Sequence, residues 1–208
     1  MKPKEISKSV LKRLPGYLTY LKSLPEDGPA TALAAALSMG GGQVRKDLAL
    51  VSDGGRPKVG YLRENLIADI EQFLGYDNTT EAVLIGAGKL GRALLGYSGF
   101  AEYGLEIVAA FDTNEAIDGE MESGKPIYAI SRLPQFCKER KVLMGIITVP
   151  AAAAQEVCDL LIANGIKAVW TFAPAHLDVP PHILVQYENM ATSLAVLSVH
   201  LSAQINGK

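Results

Sequence analysis

Two hydrophobic rhythms divide the chain. Up to about residue 75, apolar residues recur at spacings of three and four, the mark of helices that bury one face. Leu11, Leu14, Leu18 and Leu21 predict a helix over 6–24, in which Pro15 either makes a kink or marks the first turn. Pro25 and Glu26-Asp27-Gly28-Pro29 predict a turn. Thr31–Met39, capped by Thr31, and Gln43–Leu50 then predict two short helices separated by the break Gly40-Gly41-Gly42. In the second of these, Val44, Leu48 and Val51 fall on one side, with Gln43, Arg45 and Lys46 elsewhere. Helix, helix, glycine turn and basic helix is the order of a helix-turn-helix unit. The basic, glycine-rich stretch 52–61 reads as a hairpin wing, and Leu62–Leu74 as a further helix ended by Gly75. The polar run Asp77-Asn78-Thr79-Thr80 marks a boundary, so residues 1–78 read as a small winged-helix domain.

From Glu81 onward the rhythm shortens. Ala82–Ile85, Glu106–Phe111, Leu143–Val149 and Ala168–Thr171 are short apolar runs of the kind found in buried parallel strands. Helical patterns separate them at 89–97, 131–140 and 153–164, the last closed by Gly165. Alternating strands and helices predict an α/β domain of the Rossmann type over 79–186, a parallel sheet covered on both faces. Residues 187–208 form a C-terminal helical segment with Leu194, Leu197, Leu201 and Ile205 in one stripe. That stripe either packs on its own domain or needs another surface to cover it.

One motif gives this α/β domain a chemistry. Gly86-Ala87-Gly88-Lys89-Leu90-Gly91 follows a predicted strand and opens a predicted helix. In a G-x-G-x-x-G turn the first glycine permits the tight bend, the second admits a pyrophosphate, and the third lets helix and strand pack closely. The helix N-terminus supplies free N–H groups and its dipole. Asp112 ends the second strand, where a carboxylate accepts from a ribose 2′-hydroxyl and repels a 2′-phosphate, favouring NAD(H) over its phosphorylated form. A turn that binds nothing, or one that binds another nucleotide such as coenzyme A, are the competing readings.

Composition adds limits. Of 208 residues, 49% are hydrophobic and 20% charged, with a net charge of −2, which argues against disorder and against a polycationic chain. The first 75 residues carry 11 basic and 8 acidic side chains, the rest 9 and 14, so the helical part is the one suited to a polyanion. Cys137 and Cys158 have no metal-type spacing and suit a reducing cytoplasm. Residues 1–14 lack the apolar core of a secretory signal, and no run of about 18 apolar residues suggests a membrane span. Catalytic groups are not apparent. His176, His182 and His200 form no recognisable arrangement, none of Tyr97, Tyr103, Tyr128 and Tyr187 begins a Tyr-x-x-x-Lys pair, and no metal-ligand cluster stands out. These features suit a sensor of a cofactor rather than an enzyme; a small NAD-dependent oxidoreductase and a nucleotide-binding protein without DNA recognition are the alternatives.

These residues also carry a family likeness. Lys12-Arg13-Leu14, Gln43-Val44-Arg45-Lys46-Asp47-Leu48, Val59-Gly60-Tyr61, Gly86–Gly91, Tyr97-Ser98-Gly99-Phe100, Phe111-Asp112, Thr148-Val149-Pro150-Ala151, Gly165-Ile166-Lys167-Ala168 and Phe172-Ala173-Pro174 resemble the Rex family of redox-sensing transcriptional repressors along nearly the whole chain. The resemblance implies a winged helix before a Rossmann domain, and a homodimer with its last helix swapped onto the partner. It implies binding to double-stranded operator DNA that ends when NADH binds. It assigns DNA contacts to Gln43, Arg45, Lys46, Arg56, Lys58 and Tyr61. Tyr97, Val149, Pro150, Phe172 and Pro174 line the nicotinamide end of the cofactor, and Thr148 joins the glycine turn and Asp112 among the residues that bind it.

The chain departs from the family pattern in places. Gly40-Gly41-Gly42 precedes Gln43, Ala49-Leu50-Val51 replaces the usual Ser-Tyr-Phe, and Pro57-Lys58-Val59-Gly60-Tyr61 stands where Arg-Gly-Val-Gly-Tyr is usual. Thr19 and Asn189 occupy the places of an arginine and an aspartate that pair in one redox state of the family, which points to altered operator choice or switching.

Overall fold

The computed structural model describes residues 6–25, 40–55 and 60–205, divided into two compact units, Met1–Asn78 and Thr79–Lys208. The helix expected at Thr31–Met39 and the wing residues Arg56, Pro57, Lys58 and Val59 lie outside the described residues.

In the first unit, α1 spans Lys8–Ser23 and is capped by Ser7, whose Oγ accepts from the Val10 N–H at 3.4 Å. Pro15 therefore lies inside a helix that begins seven residues earlier rather than starting one. The leucine stripe is corrected by one row. Leu11 is 40% exposed, and the buried face runs through Val10, Leu14, Tyr17, Leu18 and Leu21, a 4-3-1-3 succession that follows the helical period more closely. α2 spans Gly41–Val51, so two of the three break glycines belong to its first turn, and the Gly40 carbonyl accepts from Gln43 and Val44. α3 spans Arg63–Leu74 and ends on Gly75 in the left-handed region, φ 74°. The Arg63 Nε donates to the Leu21 carbonyl at 2.7 Å and so satisfies the C-terminal end of α1. Val10, Leu14, Leu18, Leu21, Val44, Leu48, Leu66 and Ile70 close a small core among the three helices.

The second unit is built on one sheet with strands β1 (Thr80–Ile85), β2 (Leu105–Asp112), β3 (Met121–Glu122), β4 (Lys125–Ala129), β5 (Met144–Ile147), β6 (Ala168–Thr171) and β7 (Leu184–Tyr187). Their order is β3-β4-β2-β1-β5-β6-β7, parallel except for the β3–β4 hairpin. β1 alternates strictly between two cores: Val83 and Ile85 belong to one, Ala82 and Leu84 to the other. The second core takes Leu95 from α4 (Lys89–Gly96). The first takes Leu133 and Cys137 from α5 (Leu133–Arg140), and Ala154, Val157, Cys158 and Leu161 from α6 (Ala151–Ala163). Helices thus cover both faces, as βαβ crossovers require.

β1 sits between β2 and β5, with Ile85 opposite Phe111 on one side and Ile147 on the other. The chain leaves β1 in both directions, so the loops at the carboxyl ends of β1 and β5 open a crevice. α7 (Met190–Ile205) follows β7, and Leu194, Leu197, Leu201 and Ile205 are 52–73% exposed. Of the two expectations for its apolar stripe, packing on its own domain is excluded among the described residues. No described helix is long and apolar enough to cross a membrane.

Candidate functional site

The glycine turn is locked to the strands on either side. The Gly86 N–H donates to the Phe111 carbonyl at 2.8 Å, while the single hydroxyl hydrogen of Thr148 is shared between the carbonyls of Ile85 and Gly86, 3.0 and 2.8 Å from Oγ1. Gly86 has φ 103°, and a Cβ there would sit 2.9 Å from Val149 Cγ1. A Cβ on Gly91 would lie 1.9 Å from the Gly86 carbonyl oxygen, so only glycine lets α4 start this close to β1. At Gly88, by contrast, a Cβ would meet nothing within 4 Å. The backbone is open there, and Lys89 and Leu90 in the first turn of α4 are exposed. That cradle fits a pyrophosphate on the helix N-terminus.

Asp112 holds the turn from the other strand. Its Oδ2 accepts from the Ala87 N–H at 2.7 Å and its Oδ1 from the Asn114 N–H at 2.9 Å. The carboxylate stands beside the loop where a ribose would be read. Pro150 caps α6 next to Val149. Phe172 donates its N–H to the Ile147 carbonyl at 2.9 Å, which sets Phe172 at the same sheet edge as Thr148. Phe172 and Pro174 line a cavity of about 580 Å³ with His176, Tyr187 and Asn189.

Tyr97 lies elsewhere. It caps the opposite end of α4 from the glycine turn and borders a cavity of about 310 Å³ with Thr79, Glu106 and Lys125. A file of edge-to-face and tilted rings, Tyr97–Phe100–Trp170–Phe172, connects it to Phe172 with centroid spacings of 5.0, 5.6 and 4.9 Å. Arg92 is a residue the motif did not single out. Its Nε donates to the Ala87 carbonyl at 3.1 Å, and its terminal nitrogens pair with Glu120 at 2.6 Å and Glu122 at 3.6 Å on the β3 hairpin. The sequence signal was an arginine directly after the third glycine. Among the described residues no group of three or more His, Cys, Asp or Glu is arranged to hold a metal.

In the first unit, α2 turns Gln43, Arg45 and Lys46 outward and buries Val44, Asp47 and Leu48. Asp47 is 1% exposed. Its Oδ2 accepts from Arg13 Nε and Tyr17 Oη, each at 2.7 Å, and its Oδ1 accepts from Arg13 Nη2 at 3.0 Å and Gln43 Nε2 at 2.7 Å. Burial pushes its carboxyl up, but the hydrogen bonds from Arg13, Tyr17 and Gln43 outweigh that and hold it below the usual carboxylate range. Burial, then the bond to Asp47, pushes the Tyr17 hydroxyl up to about 12.

In the sequence Arg13 and Asp47 belong to two separate strings of the family likeness, and nothing in their spacing says that they meet. Tyr61 is half-buried, lies against Gly55, and is pushed up by burial and then by Asp53. Thr19 Oγ1 donates to the Pro15 carbonyl at 3.0 Å, and Asn189 Oδ1 accepts from the Ala191 N–H at 3.0 Å.

Residues 5–49 match the family described as "Putative DNA-binding protein N-terminus" and residues 77–175 the family described as "CoA binding domain". Curated relatives named redox-sensing transcriptional repressor Rex include one from Porphyromonas gingivalis, 41% identical over 197 residues, covering 93% of this chain and 90% of the relative. Another, from Syntrophomonas wolfei, is 38% identical over 206 residues, covering 97% and 98%. Among solved structures, RSP in complex with β-NAD+ and operator DNA superposes with a TM-score of 0.87 at 29% identity, over 97% of this chain and 94% of that one. RSP with β-NADH gives 0.88 at 29% identity, over 97% and 96%.

Proposed function

The chain belongs to the Rex family of redox-sensing transcriptional repressors, and on that premise we propose that it binds operator DNA through a winged helix at 1–78 and leaves it when NADH occupies a Rossmann domain at 79–186. The family consists of transcriptional regulators rather than enzymes.

The observation that carries the reading is the glycine turn itself. Gly88 is open, α4 starts immediately after it, and Asp112 is held against the Ala87 N–H. Gly86, Ala87, Gly88, Lys89, Leu90 and Gly91 receive the pyrophosphate, Asp112 a ribose, and Thr148, Val149, Pro150, Phe172 and Pro174 the nicotinamide end, with Tyr97 acting from the far end of α4. The same carboxylate distinguishes the dinucleotide from its 2′-phosphorylated form. Gln43 and Arg45 read bases, Lys46 meets phosphate, and Arg56, Lys58 and Tyr61 belong to the wing.

The protein acts in the cytoplasm as a homodimer. α7 reaches across to the partner, which covers the apolar stripe that its own chain leaves exposed. Thr19 and Asn189 stand where the family carries a charged pair, so release by NADH is the step in which this chain differs. Fluorescence anisotropy on a duplex selected by the protein from a randomised pool tests the reading: binding falls with salt, persists with NAD+, and is lost with NADH. A duplex affinity insensitive to salt would sink the DNA half. Binding of NADPH as tight as NADH would sink the assignment of Asp112, and release as steep as in relatives would remove the altered switch.

A further inference from the structure

We infer that Asp47 is a positioning residue for sequence reading: from inside the first unit it fixes the amide of Gln43 on the outer face of α2. The inference rests on the DNA-binding reading of α2 above. A carboxylate offers about four lone-pair directions. Among the described residues four donors reach Asp47, two from Arg13, one from Tyr17 and one from Gln43, at 2.7–3.0 Å. Three come from α1, which does not move relative to α2 without breaking a buried ion pair. The fourth comes from an exposed side chain one helical turn back on α2 itself, the i, i+4 spacing at which glutamine and aspartate meet. Buried Asp47 thus ties an exposed reader to the neighbouring helix.

The chemistry distinguishes this tether from an ordinary surface contact. A glutamine amide has two N–H groups and one oxygen. With one N–H committed to Asp47, one donor and one acceptor remain, the complement an adenine edge offers in the major groove. An untethered glutamine would sample several rotamers and could exchange donor and acceptor by rotating its amide. Arg45 and Lys46, exposed on the same helix, have no tether of this kind among the described residues. A loose ammonium such as that of Lys46 suits a phosphate, which carries no sequence information, whereas a fixed amide suits a base. Arg13 and Tyr17 act at one further remove, by holding Asp47.

The test uses the full chain and duplexes derived from one that the wild-type protein selects from a randomised pool, with each base pair replaced in turn. In Gln43→Ala, discrimination at one base pair, worth about 5- to 150-fold for a good bidentate contact, falls to within about twofold. Arg13→Met/Tyr17→Phe/Asp47→Leu replaces the buried polar set by apolar groups of similar size, a change that folded proteins tolerate. This variant is expected to lose discrimination at the same base pair, to keep the salt dependence and helical content of wild type, and to lose nothing more when Gln43→Ala is added. Retained discrimination in that folded variant, or losses that add, would overturn the inference.

A measurement on the unmutated protein guards against a variant that does not fold. The side-chain amide of Gln43 in the free chain is expected to show a higher NMR order parameter than that of exposed Gln72, and an equal value would also overturn it. If wild type selects no duplex, the DNA reading fails and takes this inference with it; if it selects one and Gln43→Ala relaxes a base pair that the triple variant still discriminates, only the inference fails.

Discussion

Among the described residues each unit shows one bidentate arginine–carboxylate pair, and the two have similar bond lengths. Arg13 meets Asp47 at 2.7 and 3.0 Å; Arg140 meets Glu81 at 2.8 and 2.9 Å. Their surroundings differ. The Asp47 side chain is 1% exposed and that of Glu81 is 32% exposed. For Asp47 the largest influence is burial, which opposes ionisation and is overcome only because several donors act together. For Glu81 it is the hydrogen bond from Arg140, with the opposing effect of burial second. Identical bonds therefore carry different structural weight. The first unit has a small core and spends a buried ion pair on fixing one helix against another. The second has two extensive apolar cores flanking its sheet, and it shapes its site with backbone and glycine rather than with charge.

That contrast predicts where substitutions will hurt. The largest effect belongs to the backbone-built site: Gly91→Val places side-chain atoms into the Gly86 carbonyl and is expected to weaken NADH binding at least about 100-fold by calorimetry, leaving duplex affinity without cofactor unchanged. Next is Asp47→Ala, which strips the acceptor from half-buried Arg13 and from the buried Tyr17 hydroxyl and costs about 1–3 kcal/mol of first-unit stability, read by hydrogen exchange over 8–23 and 41–51. The same pair has a pH signature. Because the folded-state pKa of Asp47 is depressed, its contribution is complete above the ordinary carboxylate range, near pH 4, and is lost as pH falls through the lowered value.

Smaller still is Asp112→Asn, expected to reduce NADH affinity about tenfold and to narrow the preference over NADPH. Glu81→Ala should lower stability by no more than about 1 kcal/mol, since its pair is solvent-screened. A loss at Glu81 as large as that at Asp47 would break the comparison, because geometry and not burial would then set the cost.

Much of this was legible in sequence, for identifiable reasons. The strand–glycine–helix unit around Gly86 could be read because one tight turn forces residue types at fixed offsets, and Asp112 because a strand end has a defined place. Gly75 announced the end of α3 through its left-handed conformation. β3, β4 and β7 did not announce themselves. β3 has two residues and β4 carries Pro126, tolerated because β4 is flanked by an edge hairpin, while β7 is a four-residue edge strand after Pro180-Pro181. Leu11 misled because a leucine count ignores the phase that Val10 and Tyr17 impose. Asp47 was invisible as a hub since Arg13 and Tyr17 reach it across about 30 residues of chain, a tertiary meeting no local spacing encodes.

The placement of β1 at the middle of the sheet bears on timing. Its neighbour β5 begins at Met144 and the outermost strand β7 ends at Tyr187, whereas the first unit is complete by Asn78. On a ribosome adding about 5–20 residues per second, the stretch from Asn78 to Tyr187 takes on the order of 5 to 20 s. Helices with short-range contacts fold far faster than that, and a parallel sheet cannot close before its last strand exists. Every newly made copy therefore acquires its helical face before it acquires the glycine cradle, so the part proposed to hold DNA is finished while the part proposed to answer NADH is still being synthesised.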